Sequence, residues 1–318
     1  MLVQILLLLA GLALIVFGAD YLVEGASALA RRFGLSEFVI GLTIVGMGTS
    51  APEMVVSFIG ALQGNTDISV GNVIGSNIFN TLLILGISGM LLPMAITREN
   101  RRKDIPVNIG ITVLLLALGF KHTFFGMGTD GLSRLEGGLL LLVFVLYMWN
   151  SFASGKASDQ EDTDARELKP VWAVLMILGG LAGLVFGGRL FVNSATAIAR
   201  ILGVSDKFIA ITILAGGTSM PELATCIAAV VKKKGQLALG NIIGSNIFNI
   251  LLILGGSALI HPLAFTDISL MDLGVLLASA LALWASCFVG KKNMLDRLDG
   301  ALLLLLWAAY MTWLIVHL

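Results

Sequence analysis

Two short stretches set an acid among hydroxyls, glycines and a proline: Gly48-Thr49-Ser50-Ala51-Pro52-Glu53 and Gly217-Thr218-Ser219-Met220-Pro221-Glu222. Within about one turn each offers a carboxylate (Glu53 or Glu222), two hydroxyls (Thr49 and Ser50, or Thr218 and Ser219) and backbone oxygens. Those oxygens are free because Pro52 and Pro221 have no N–H to give to the carbonyls of Gly48 and Gly217, and the flanking glycines ease local unwinding. The result is an oxygen-only ligand set for a hard cation. Calcium takes about six to eight oxygens in adaptable geometry and sodium accepts the same donors, while zinc and copper call for the His or Cys that are missing nearby.

A second pair of motifs adds neutral oxygen donors. Gly-Asn-Val-Ile-Gly-Ser-Asn-Ile-Phe-Asn at 71–80 recurs as Gly-Asn-Ile-Ile-Gly-Ser-Asn-Ile-Phe-Asn at 240–249, with nine of ten positions identical. Ser76, Asn77 and Asn80, with Ser245, Asn246 and Asn249, bring hydroxyl and amide oxygens. Ser76 and Asn80 are four residues apart and share a helix face, as do Ser245 and Asn249. Small residues also let membrane helices pack closely, so packing competes with ligation for the glycines and serines here. Packing does not explain a buried acid in both copies of the first motif. Asn72 and Asn241 read equally well as helix cross-links.

Both pairs of motifs are separated by the same offset of 169 residues, so the chain repeats itself. The elements that carry them are membrane spans. Hydrophobic residues make up 57% of the 318 and charged residues 13%, with a mean hydropathy of +0.96, against roughly a quarter charged in soluble domains. Helices are expected at about 3–30, 37–61, 68–92, 105–121, 134–152, 171–199, 207–231, 237–260, 269–289 and 297–316, each long enough to cross a hydrocarbon core of about 30 Å. The first span has no basic residue before it and no cleavage site after it, and is read as part of the mature protein. Residues 1–153 form the first five-helix repeat, 154–170 a polar linker and 171–318 the second repeat. Five spans is an odd number, so the second copy enters the membrane from the opposite side and the repeats are inverted. Inverted repeats with interrupted helices are the architecture of secondary transporters. Fifteen of the 20 Lys and Arg, among them Arg31, Arg101, Lys169, Lys232 and Lys291, fall on one side of this topology. Four (Lys121, Arg134, Arg200 and Lys207) fall on the other, and Arg189 lies within a span. That bias puts the linker in the cytoplasm and both termini outside.

Other residues have plainer readings. Cys226 and Cys287 lie in apolar spans without ligand spacing and read as packing. Asp20 and Glu24, four apart on the first helix, read as a structural pair. Lys232 to Lys234 sets orientation, with anionic-lipid contact as a secondary role. Asp67 reads as a solvated loop acid that guides cations in the alternative. A net charge of zero argues against nucleic-acid binding. No His or Lys base stands near Ser50 or Ser219, which argues against hydrolytic catalysis. No cofactor is called for, and no obligate protein partner is evident beyond the lipid bilayer.

The paired motifs resemble the two internal repeats of the Ca²⁺/cation antiporter superfamily, in its prokaryotic sodium/calcium exchanger branch. The resemblance spans nearly the whole chain. It implies that Glu53, Glu222, Thr49 and Thr218 hold Ca²⁺, and that sodium uses the same glutamates with Ser50, Ser219, Ser76, Ser245 and backbone oxygens near Gly46 and Ala215. Asn80 and Asn249 match a polar pair flanking the glutamates; some relatives have Asp at the position of Asn249, which would give those relatives a more negative site. The activity implied is Na⁺/Ca²⁺ antiport by alternating access at a midplane site in a bacterial or archaeal inner membrane. Ca²⁺/H⁺ antiport through the same glutamates is the alternative, and a passive cation channel is further off. Two ionised glutamates give a site charge that one Ca²⁺ or two Na⁺ neutralise, so shared carboxylates would couple the two ions.

Overall fold

The computed structural model describes residues 1–154, 168–203, 215–266, 268–288 and 293–317. The chain is an all-helical membrane protein, and each of the ten expected spans has its helix. In chain order these are α1 (Leu2–Phe33), α2 (Glu37–Thr49), α3 (Ala51–Leu62), α4 (Thr66–Leu91), α5 (Ile105–Gly119), α6 (Arg134–Ser154), α7 (Pro170–Ile201), α8 (Met220–Val231), α9 (Gly235–Ile260), α10 (Leu270–Ser286) and α11 (Arg297–His317). Helices α2 and α3, bent at the break between them, together take the place of one expected span. Most of the expected linker, and the start of the seventh expected span with Lys207, lie outside the described residues.

Long apolar helices α1, α6, α7 and α11 leave leucines, valines and tryptophans such as Leu142, Trp149 and Leu305 exposed, as suits a lipid solvent. The helices that carry the Gly-Ser-Asn motifs, α4 and α9, are instead largely buried.

Packing divides the chain into two compact units that cut across the sequence repeats. One comprises Met1–Pro52 and Phe152–Asn241, the other Glu53–Ser151 and Ile242–Leu318. The first is organised by α1 packed along α7. Small residues recur every seven positions on both helices, at Gly11, Gly18 and Gly25 and at Ala173, Gly180 and Gly187, so the backbones meet without side chains between them. A Cβ on Gly18 would stand 2.8 Å from the Gly180 carbonyl oxygen, and one on Gly180 2.7 Å from that of Gly18. Such close approach maximises dispersion contact where burial from water drives nothing. Asp20 and Glu24 are a structural pair as expected, held by Lys232 Nζ at 2.6 and 2.7 Å. Burial alone would lower the Lys232 ammonium, but its hydrogen bonds to Asp20 and Glu24 prevail and the net shift is upward. The acids are half exposed, so this ion triad is worth at most about 1 kcal/mol.

In the second unit α3 packs on α4 through reciprocal hydrogen bonds. Ser69 Oγ donates to the Ser57 carbonyl at 2.6 Å and Ser57 Oγ to the Ser69 carbonyl at 3.3 Å. Two short antiparallel pairs tie the loops: β1 (Met94–Ala95) with β4 (Met294–Leu295), and β2 (Gly131–Leu132) with β3 (Leu263–Ala264). Each joins the segment after a Gly-Ser-Asn helix, α4 or α9, to the segment that opens α11 or α6. The duplication is therefore visible in the loops as well as in the helices.

Candidate functional site: two acidic helix breaks and an asparagine cluster

Both Thr-Ser-x-Pro-Glu motifs break their helices at the serine. Ser50 has φ −80° and ψ 8°, and Ser219 has φ −88° and ψ 9°, the same non-helical turn in both repeats. In the first copy the axes on either side, Glu37–Thr49 and Ala51–Leu62, are bent by 48°. Proline follows two residues after each serine, where its missing N–H belongs to a helix start and goes unmissed. The break therefore sets Glu53 in the first turn of α3 and Glu222 in the first turn of α8. A helix N-terminus carries about half a positive charge, which offsets part of the penalty of a buried carboxylate. Both glutamates are fully buried.

The first unit holds Glu222 with groups from both repeats. Ser50 Oγ donates to Glu222 Oε1 at 2.8 Å. Thr49 Oγ1 shares its proton between the Gly46 carbonyl at 3.3 Å and Asn241 Oδ1 at 3.2 Å. Both hydroxyls act as donors, so their own lone pairs remain for a cation. Ser219 is fully buried beside the second break and Thr218 half-buried. Ala215 opens the short helical turn Ala215–Gly217 that precedes it.

The second unit holds Glu53. Ser76 Oγ donates to Glu53 Oε1 at 3.4 Å. Asn72 Nδ2 donates to the Glu53 carbonyl at 3.1 Å and to Ser57 Oγ at 3.0 Å, so Asn72 cross-links α3 and α4. Asn80 and Asn249 meet asparagines of the opposite repeat: Asn80 Nδ2 donates to Asn246 Oδ1 at 3.2 Å, and Asn249 Nδ2 to Asn77 Oδ1 at 2.9 Å. These two bonds are related by the repeat. The others are not: Asn246 Nδ2 donates to Thr81 Oγ1 at 2.8 Å, while Asn77 Nδ2 donates to the Asn246 carbonyl at 3.1 Å, because the second copy has Ile250 where the first has Thr81. With their amide nitrogens used, Asn80 Oδ1 and Asn249 Oδ1 are buried and have no hydrogen-bond partner among the described residues. An amide oxygen in that condition is a ready ligand for a cation. Ser245 is likewise fully buried on α9.

Sequence reasoning missed one element of this geometry. Asn80 lies in a π-helical turn, Phe79–Ile84, and Asn249 opens another, Asn249–Leu254. Each asparagine stands at the start of its π turn, so the extra residue falls on the side of the helix beyond it; such bulges favour functional sites. No residue type marks them beforehand. Thr81 and Ser57, which anchor this network, stood outside the motifs read as ligands. Among the described residues no three His, Cys, Asp or Glu gather into a cluster able to hold a metal.

Ser50→Ala should raise the calcium concentration for half-maximal flux by about tenfold or more, since a hydrogen bond to a charged group is worth about 1.5–3 kcal/mol. The check is the concentration dependence of calcium flux in vesicles. An unchanged dependence would take Ser50 out of calcium binding.

These features define a multi-span secondary transporter rather than an enzyme. A family model described as "Sodium/calcium exchanger protein" matches residues 3–153 and 172–316, and the chain belongs to that family of membrane antiporters. It is 35% identical to the inner membrane protein YrbG of Escherichia coli over 99% of this chain and 98% of that one. It is 32% identical to the sodium/calcium exchanger MaX1 of Methanosarcina acetivorans over 97% of each. Among solved structures, the sodium-calcium exchanger NCX_Mj soaked with zero Na⁺ and Ca²⁺ matches with a TM-score of 0.85 at 32% identity, covering 98% of this chain and 99% of that one.

Proposed function

We propose that the protein exchanges Na⁺ for Ca²⁺ across a cell inner membrane by alternating access, with Glu53 and Glu222 as the charged ligands of the transported ions. Thr49 and Thr218 complete the calcium set. Ser50, Ser219, Ser76, Ser245 and backbone oxygens near Gly46 and Ala215 serve sodium, with Asn80 and Asn249 flanking. The observation that carries this reading is the Ser50–Glu222 hydrogen bond, which joins the hydroxyl of one repeat's motif to the carboxylate of the other's. A duplicated motif kept only for packing would not need its acid buried against its partner's hydroxyl. Two carboxylates neutralised either by one Ca²⁺ or by two Na⁺ make the loaded forms the ones able to cross between states, and partly loaded forms, with uncompensated buried charge, do not. In this reading residues 1–153 and 171–318 are inverted repeats, the linker 154–170 is cytoplasmic and the termini face outward.

The test is calcium uptake into sodium-loaded proteoliposomes diluted into sodium-free buffer, repeated with an imposed pH gradient and no sodium. Uptake that requires internal sodium is expected. Uptake driven by the pH gradient alone would move the coupling ion to the proton and leave calcium antiport standing.

A further inference from the structure

The segment that opens α5 carries a buried polar stripe unrelated to either repeated motif. Asn100, Asp104, Asn108 and Thr112 recur every four residues, and all are at most 5% exposed. The π turn Asn100–Asp104 leads directly into α5. Thr97 occupies the Asn100 amide oxygen through its backbone N–H at 3.0 Å and its hydroxyl at 2.7 Å. That fixes the Asn100 amide so that Nδ2 donates to Asp104 Oδ2 at 3.3 Å. Thr112 is spent on the Asn108 carbonyl at 2.9 Å.

One group is left over: Asn108 Oδ1 is buried and without a hydrogen-bond partner among the described residues. Tyr147, on α6, is buried with its hydroxyl turned to Ser151 and close enough to Asp104 to feel its charge. Asp104 itself has no ion pair among the described residues. Lys103, its chain neighbour, turns instead to Asn150 Oδ1 at 3.1 Å and Glu99 at 3.9 Å. The charged or titratable groups that reach Asp104 are therefore Lys103, Glu99 and Tyr147. Helix α10 packs along α5, but its one charged residue, Asp272, is engaged by Ser269 and Tyr310. The π turn of α9 that also contacts α5, Asn249–Leu254, has no charged residue.

A carboxylate and an amide oxygen one helical turn apart on a buried face are two acceptors without a donor between them, an arrangement that a low-dielectric interior penalises. The geometry points to a proton-binding site separate from the exchange motifs, at which Asp104 takes up a proton and donates it in a hydrogen bond to Asn108 Oδ1, while Asn100 positions the carboxyl and Tyr147 closes the pocket. One O–H bond forms on Asp104, one breaks on the hydronium that delivers the proton, and no other bond changes. Desolvation by burial pushes Asp104 up to about 6, so the proton is held at mildly acidic pH and released near neutrality. Because the folded carboxyl keeps its proton where an unfolded one has lost it, stability should fall as pH rises from the ordinary carboxylate range through about 6.

The experiment is infrared difference spectroscopy on the full-length protein in liposomes, titrated between about pH 5 and pH 8 with saturating calcium, which keeps the exchange glutamates ionised. A protonated-carboxyl band that titrates near 6 and disappears in Asp104→Asn is expected. Asparagine is isosteric and can itself donate to Asn108, so this variant should remain folded. In Asn108→Leu the band should persist but shift in frequency, because its O–H has lost the acceptor. A band identical in wild type and Asp104→Asn would overturn the proposal. So would a spectrum that answers to sodium at fixed pH rather than to acid, which would make the ligand a metal cation.

Discussion

Glu222→Gln and Glu53→Gln should each abolish sodium-driven calcium uptake while leaving the protein folded. The amide keeps the shape of the side chain and removes one of the two charges proposed to balance calcium. Glutamine at 222 can still receive the Ser50 proton through its carbonyl oxygen, so the local hydrogen-bond geometry survives and the charge alone is tested. Removing a fully buried charge relieves its desolvation penalty, which at the centre of a membrane is at least about 2.5 kcal/mol. The variants should therefore melt at the wild-type temperature or above it. Loss of transport without loss of stability is the signature expected of a ligand. Retained sodium-dependent flux in either variant would sink the assignment of that glutamate.

The second large effect lies in the α1–α7 contact. Gly18→Ala should destabilise the protein by about 1–3 kcal/mol, the ordinary range for overpacking, because its Cβ would stand 2.8 Å from the Gly180 carbonyl and 2.9 Å from the Leu184 nitrogen. Both neighbours are backbone and yield only if the helices separate. Gly179→Ala is the matched control. A Cβ there meets nothing within 4 Å, and alanine in a helix gains about 0.5–1 kcal/mol over glycine. Thermal unfolding in detergent should thus move in opposite directions for the same substitution at the two sites. Equal shifts would mean that helix propensity, not close contact, sets the response.

Much of this molecule was legible because lipid simplifies the rules. Among the described residues each expected apolar stretch carries helix, and the offset of the repeats paired the acids and the asparagines before any geometry was known. Pro52 and Pro221 announced the helix breaks, although the broken residues are the serines that precede them by two. Three things were not legible. The π turns at Asn80 and Asn249 are a matter of hydrogen-bond phase, which no residue type encodes. The seven-residue recurrence of small side chains on α1 and α7 is hidden among residues that are small or apolar everywhere. The pairing of Lys232 with Asp20 and Glu24 joins residues more than 200 positions apart, and charge counting alone assigned that lysine to orientation.

The two ways of dividing the chain carry a historical consequence. The motifs repeat at an offset of 169 residues, whereas cohesion groups Met1–Pro52 with Phe152–Asn241 and Glu53–Ser151 with Ile242–Leu318. Each compact unit draws on both copies, so a half-length ancestor with a single set of motifs could have completed neither unit alone.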